Sequence, residues 1–265
     1  MDVWSLASGS SGNAYLVRSD QTLVLVECGI SLSRLTSSLA RLGLKPDELN
    51  GVLLTHEHGD HILSARQLSD RHRVPLYATR GTLGHPSVRD SDLVRVVAPG
   101  RQFPLGDLEV LPFLVPHDAD EPVGYRLLGQ AASVCIATDL GFVPESVARR
   151  FRDNDLLVLE ANHDERMVEV GPYPGFLKRR VLSQHGHLSN TSTARALVAC
   201  GDRVPRRVWL AHLSQVNNTV RRARQDVATS LAGAGLNHVA LDVARRNKPS
   251  LHWTSEPRLV QQALF

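Results

Sequence analysis

The stretch GVLLTHEHGDH, Gly51–His61, governs what the rest of this chain must build. Gly51–Thr55 is a short apolar run with strand character, and it stops on an imidazole, His56. In an extended loop, residues two apart project to the same side, so His56 and His58 can share one cation. Gly59 permits a sharp turn that would send Asp60 and His61 toward a second cation. Neutral imidazoles and a carboxylate suit zinc, manganese or iron. A solvated polar loop is the plain alternative. It gives three histidines and an aspartate within the six residues His56–His61 little reason to follow a buried strand.

Working outward, the same pattern recurs. Leu108–Val115 is an apolar run that ends at Pro116-His117. Ser133–Ala137 ends at Thr138-Asp139, and Arg207–Ala211 ends at His212. Any one of these would pass for a structural histidine or a turn aspartate. As a set, they place polar groups at one edge of a sheet, where loops from rigid elements converge. Two cations held close together there would lower the pKa of a shared water and stabilise charge on the group it attacks.

The remaining pattern predicts an α/β chain. Asp2–Ala7, Ala14–Arg18 and Thr22–Glu27 read as strands. Ile30–Leu42 has leucines at helical spacing, and Ile62–His72 is expected as a second helix. Gly124–Leu128 and Ser133–Ala137 form a hairpin in this reading, and Asp155–Leu159 is a strand that runs into Glu160. Helices follow at Pro144–Phe151, Thr191–Cys200 and Asn218–Ala232. No repeat or Pro/Gly-rich linker divides the chain, so a single domain over 1–265 is expected, with a loosely attached tail from about Asn247.

Composition narrows the class. Apolar residues make up 42% of the 265, enough for a full core. Cys28, Cys135 and Cys200 show no paired spacing and read as small buried residues in a reducing compartment. The N-terminus has no basic segment followed by an apolar one, and no apolar stretch is long enough to cross a bilayer. The expected location is the cytoplasm, with no membrane partner. Net charge is +3, carried almost wholly by arginine; Lys45, Lys178 and Lys248 are the only lysines. Guanidinium forks suit phosphate, though so mild an excess says little about nucleic acid by itself.

The pattern HxHxDH…H…D…H resembles the signature of the metallo-β-lactamase superfamily. That resemblance implies a four-layer αβ/βα sandwich with two divalent metal ions at one sheet edge. His56, His58 and His117 would hold the first ion. Asp60, His61 and His212 would hold the second, Asp139 would bridge, and Asp60 would help orient the nucleophile. One position departs from the family pattern: Glu27 in Val26-Glu27-Cys28-Gly29 stands where an aspartate is usual.

The superfamily hydrolyses β-lactams, thioesters, lactones and phosphodiesters, and fold does not choose among them. Longer stretches help. SLASGSSGNAYLV (Ser5–Val17), LEANHD (Leu159–Asp164), GPYPGFLKRRVLSQHGHLSN (Gly171–Asn190) and LAHLSQVNNT (Leu210–Thr219) are similar to the YycJ/VicX (WalJ) group. This implies a cytoplasmic 5′-to-3′ exonuclease on double-stranded DNA, with a link to mismatch repair. The alternatives are a small thioester or lactone hydrolase of the glyoxalase-II type, and a metal-stabilised DNA-binding protein. Oligomeric state is open.

The same stretches carry further candidates. Ser8–Asn13 is rich in turn formers, and Ser10, Ser11 and Asn13 would cradle a phosphate or simply form a hairpin turn. His187 is a candidate catalytic residue or phosphate contact. Ser189 and Asn190 lie where a helix N-terminus favours anions, or they serve as its cap. His163 and Asp164 would stand behind a metal ligand or make a structural hydrogen bond. Lys178-Arg179-Arg180 and Arg221, Arg222 and Arg224 would steer a DNA backbone or line a solvated helix face.

Overall fold

The computed structural model describes residues 1–255. The chain order begins with β1 (Asp2–Ala7), β2 (Ala14–Arg18), β3 (Leu23–Val26), α1 (Leu32–Ala40), β4 (Gly51–Leu53), α2 (Gly59–Ile62), α3 (Ala65–His72) and β5 (Leu76–Ala78). It continues through α4 (Arg80–Leu83), α5 (Pro86–Arg89), β6 (Val94–Val96), β7 (Phe103–Leu105), β8 (Leu108–Leu114), β9 (Val123–Leu128) and β10 (Ser133–Ala137). The second half adds α6 (Glu145–Phe151), β11 (Leu156–Glu160), α7 (Glu165–Val170), α8 (Gly175–Val181) and α9 (Asn190–Val198). It closes with β12 (Arg207–Ala211), α10 (Val220–Gly233), β13 (Ala240–Val243) and β14 (Leu251–Thr254).

These strands make two seven-stranded mixed sheets, ordered β14-β1-β2-β3-β4-β5-β6 and β13-β12-β11-β10-β9-β8-β7. In each sheet one part is antiparallel and the other parallel, with β3-β4-β5-β6 and β10-β11-β12-β13 the parallel runs. Parallel neighbours need crossovers, and helices supply them. Leu23 and Leu25 face α1, whereas Val24 and Val26 face the other sheet. Cys135 and Leu157 pack under helices, whereas Val134, Ile136 and Val158 join the layer between the sheets. Strands buried on both faces explain the near-continuous apolar runs in the sequence. The layers are therefore helix, sheet, sheet, helix: the expected αβ/βα sandwich.

Two expectations need correction. The helix expected over Ile62–His72 is two helices, broken at Leu63-Ser64. Ser64 there donates to the Ile30 carbonyl at 2.6 Å and leaves helical geometry at φ −119°, ψ 11°. The break separates α2, which carries Asp60 and His61, from α3. The tail from Asn247 is not loose as far as Thr254. β14 pairs antiparallel with β1 from Ser5↔Leu251 to Asp2↔Thr254. Leu251 and Trp253 turn toward the layer between the sheets, and His252 stacks on Trp4 with ring centroids 4.7 Å apart. A four-residue alternation is too short to stand out in sequence. The rest of that tail, 256–265, lies outside the described residues.

Candidate metal centre

The polar residues that end the apolar runs meet in one place. His56 and His58 follow β4, His117 follows β8, Asp139 follows β10 and His212 follows β12. Three of the strand ends use a backbone that side chains disfavour: Glu27, Asp139 and His212 have φ of 68°, 60° and 53°. Left-handed residues other than glycine cost about 1 kcal/mol or more each and collect at functional sites. Here the turn out of each strand aims a polar side chain inward rather than along the sheet.

Two groups of nitrogen and oxygen atoms result. In the first, His58 Nδ1 lies 3.0 Å from His56 Nε2 and 3.3 Å from His117 Nε2. In the second, Asp60 Oδ2 lies 3.5 Å from His61 Nε2 and 3.4 Å from His212 Nε2. Asp139 sits between them, with Oδ2 3.3 Å from His61 Nε2 and Oδ1 3.9 Å from His117 Nε2. Both groups, and a third of His56, His61 and Asp139, have the proximity that metal ligation requires.

The far ring nitrogens are engaged elsewhere, which aims the near ones. His117 Nδ1 donates to the Gly186 carbonyl at 3.1 Å, and His56 Nδ1 meets Thr55 Oγ1 at 2.8 Å. His61 Nδ1 lies 3.2 Å from Glu27 Oε1. His212 Nδ1 donates to Glu160 Oε1 at 2.9 Å, and His187 Nδ1 donates to the same oxygen at 2.8 Å. The second Glu160 oxygen accepts from the Leu140 and Leu188 amides at 2.8 and 3.1 Å. Imidazoles oriented through the opposite nitrogen by carboxylate or carbonyl are the usual support for metal-binding histidines.

Electrostatics define the charge the centre would accommodate. Burial pushes His56 well below its ordinary pKa, and its neighbours His61 and His117 push further, so it stands as a neutral imidazole. Burial also acts to lower His61 and His212. The charges of Glu27 and Asp139 override it for His61, and for His212 the charges of Asp139 and Glu160, with the hydrogen bonds it donates to Asp60 and Glu160, do the same. Both rise, His212 to about 10. Burial would raise the Asp60 and Glu160 carboxyls, yet the imidazoles around each hold them well below the usual range. Buried carboxylates are thus drawing protons onto imidazoles. Asp139 Oδ2, itself buried, accepts no hydrogen bond among the described residues. This donor set of imidazoles and carboxylates fits divalent cations, which would supply the same positive charge.

Other sequence candidates fall in distinct places. Ser10 lines the cavity over the centre; Ser11 instead donates to Asn247 Oδ1 at 2.8 Å, on the surface. Asn13 is buried and braces the histidine-rich loop, with its amide and side chain both donating to the Asp60 carbonyl, at 2.9 and 3.2 Å. Gly29 makes that approach possible, since a Cβ there would sit 1.6 Å from the same carbonyl oxygen. His187 faces the cavity from the Glu160 side. Ser189 caps α9, accepting from the Ser192 amide at 3.1 Å, and the buried Asn190 side chain donates to Asn218 and Asp226. Asp164 caps α7 and pairs with Arg222 at 2.8 Å. Of the basic run, Arg180 reaches the cavity, where it pairs with Asp118 at 2.6 Å.

Sequence reading missed two supports. Glu160 ends a strand as the candidate ligands do, and that is its only signal. Ser8 accepts from the His212 amide and from Tyr15 at 2.8 and 2.7 Å, tying the first loop to the last ligand.

A profile of the beta-lactamase superfamily domain matches residues 22–213. The chain is 35% identical over 240 residues to the exodeoxyribonuclease WalJ of Streptococcus pneumoniae, covering 87% of this chain and 88% of that one. It is 33% identical over 237 residues to the exodeoxyribonuclease YycJ of Bacillus anthracis, covering 87% and 89%. Among solved structures, the metallo-beta-lactamase fold protein YhfI from Bacillus subtilis superposes with a TM-score of 0.74 at 17% identity, over 96% of this chain and 100% of that one. That likeness speaks for the fold alone.

Proposed function

This chain belongs to the beta-lactamase superfamily, and on that premise we propose that it is a two-metal phosphodiesterase that degrades double-stranded DNA from an end, 5′ to 3′. The observation that carries the reading is the convergence of seven side chains, His56, His58, Asp60, His61, His117, Asp139 and His212, beneath one cavity. The exodeoxyribonuclease names of the two relatives support DNA as the substrate.

His56, His58 and His117 would hold one cation, Asp60, His61 and His212 the other, and Asp139 both. Divalent cations held there would supply positive charge to the phosphate and lower the pKa of water at the site. Zinc and manganese suit the donor set, and iron is compatible with it. The chain's own residues do the rest. Asp60, at the cavity floor, accepts a hydrogen bond from the attacking water and fixes its line of approach. His187 faces the cavity with Nδ1 held by Glu160, so its Nε2 is the group that hands a proton to the leaving oxygen. Glu160 is a positioning residue, because it acts through His187 and His212.

A thioester or lactone hydrolase would want a mainly apolar pocket. Here Ser10, Asn162, Arg180 and His187 line the cavity beside the apolar Tyr173, Leu177 and Val181, and the guanidinium among them favours a charged diester. The three cysteines are free and buried, and among the described residues no helix is long and apolar enough to cross a membrane. Free cysteines suit the reducing cytoplasm, which is the location we propose. The test is end-labelled duplex DNA with zinc- or manganese-loaded protein. Stepwise nucleotide release from 5′ ends is expected. No release while small thioesters are cleaved would overturn the proposal.

A further inference from the structure

The cavity has one wall that takes no part in the ligand set. It comes from the excursion 161–189, which leaves β11 at Glu160 and returns as α9. Tyr173, Leu177, Arg180 and Val181 face the cavity from it. This wall is held rigidly against the centre. Pro172 and Pro174 flank Tyr173 and restrict its turn. At the far end of α8, the His187 amide donates to the Val181 carbonyl, and the Asp118 amide donates to the His185 carbonyl, both at 3.1 Å. Gly186 packs so closely under α8 that a Cβ would lie 2.3 Å from the Arg180 and Val181 carbonyl oxygens.

The wall offers two chemistries side by side. Tyr173 and Leu177 present aromatic and aliphatic surface. Arg180 uses Nε for Asp118, and its Nη1 and Nη2 have no partner among the described residues. The side chain is 59% exposed, so the open side of the fork is available to an anion. The cavity measures about 240 Å³, too small for more than one nucleotide unit.

Resting on the phosphodiesterase reading, we propose that this wall is the subsite for the terminal nucleotide. Tyr173 and Leu177 take the face of its base, and the free edge of Arg180 binds the adjoining phosphate. An aromatic platform accepts any base, so the subsite selects for an end without selecting sequence. Selection for an end is part of the proposal: a nucleotide seated against this wall would leave the cavity no room for a second.

The experiment compares two duplexes, one with an ordinary 5′-terminal nucleotide and one whose terminal nucleotide is abasic, with metal-loaded wild type, Tyr173→Ala and Tyr173→Phe. Wild type should favour the base-bearing end in kcat/KM by about ten- to a hundredfold, the scale of one base–aromatic stack. Tyr173→Ala should cleave the two ends equally, and Tyr173→Phe should keep the preference. Undiminished discrimination in Tyr173→Ala, or a Phe variant as defective as Ala, would overturn the base contact. Arg180→Gln should raise KM on both duplexes by a similar factor; an unchanged KM would overturn the phosphate contact. Wild type that degrades both duplexes equally overturns the subsite and leaves the phosphodiesterase reading standing. Wild type that releases nucleotide from neither overturns both.

Discussion

The two sheets contribute to the centre in opposite styles. The first sheet delivers four candidate ligands from one loop, His56–His61, after a single strand. The second delivers three from three separate strand ends, His117, Asp139 and His212. Each side also supplies one fully buried glutamate as a support. Glu27 steadies one imidazole, His61, at 3.2 Å. Glu160 steadies two, His212 and His187, with both oxygens saturated by hydrogen bonds. The contrast teaches that the compact motif brings most of the candidate donors, while the dispersed side completes each group and carries the more heavily hydrogen-bonded support.

Removing the residue that joins the two sides should have the largest effect. Asp139→Ala should lower nuclease turnover by about 10⁴-fold, the scale of losing one member of a unit that acts together. Its circular dichroism should match wild type. Near-normal turnover would mean that the two sides work independently. Next come the two supports. Outer carboxylates behind metal ligands are typically worth about 10–100-fold in affinity or activity. Glu160→Gln should fall at the upper end of that range and Glu27→Gln at the lower, as measured by kcat at saturating zinc or manganese. Equal losses would erase the asymmetry argued here, and a reversed order would invert it. Glu27→Asp, which restores the residue usual in the family, draws the carboxylate back by a methylene and should weaken zinc binding modestly rather than improve it.

The smallest effect separates a cap from a substrate contact on the second side. Ser189→Ala removes the N-cap of α9 and should cost about 1 kcal/mol. That lowers the melting temperature by about 2–4 °C for a chain of this size. KM for DNA should not move; a several-fold rise would restore Ser189 as a phosphate contact.

This asymmetry also explains what could be read in the sequence. His56, His58, Asp60 and His61 announce themselves as candidate ligands because their pattern is encoded at short range. His117, Asp139 and His212 were legible only through their shared position after apolar runs. Glu160 shares that position without standing out, because a carboxylate hydrogen-bonded to two imidazoles has no local signature. Strands buried on both faces, such as β10 and β11, read clearly from composition. The short edge strands β6, β7 and β14 did not, since three or four residues hold too little periodicity. Asn13 looked like a turn residue. Its bond to the Asp60 carbonyl, across 47 positions of chain, is a tertiary fact that no local pattern carries.

The most direct test of the account is the number of metal ions bound per chain, by elemental analysis after dialysis with zinc and gel filtration. Two ions in wild type, with Asp139→Ala retaining fewer, is the predicted result. A wild-type protein that retains none, with its fold intact, would contradict it.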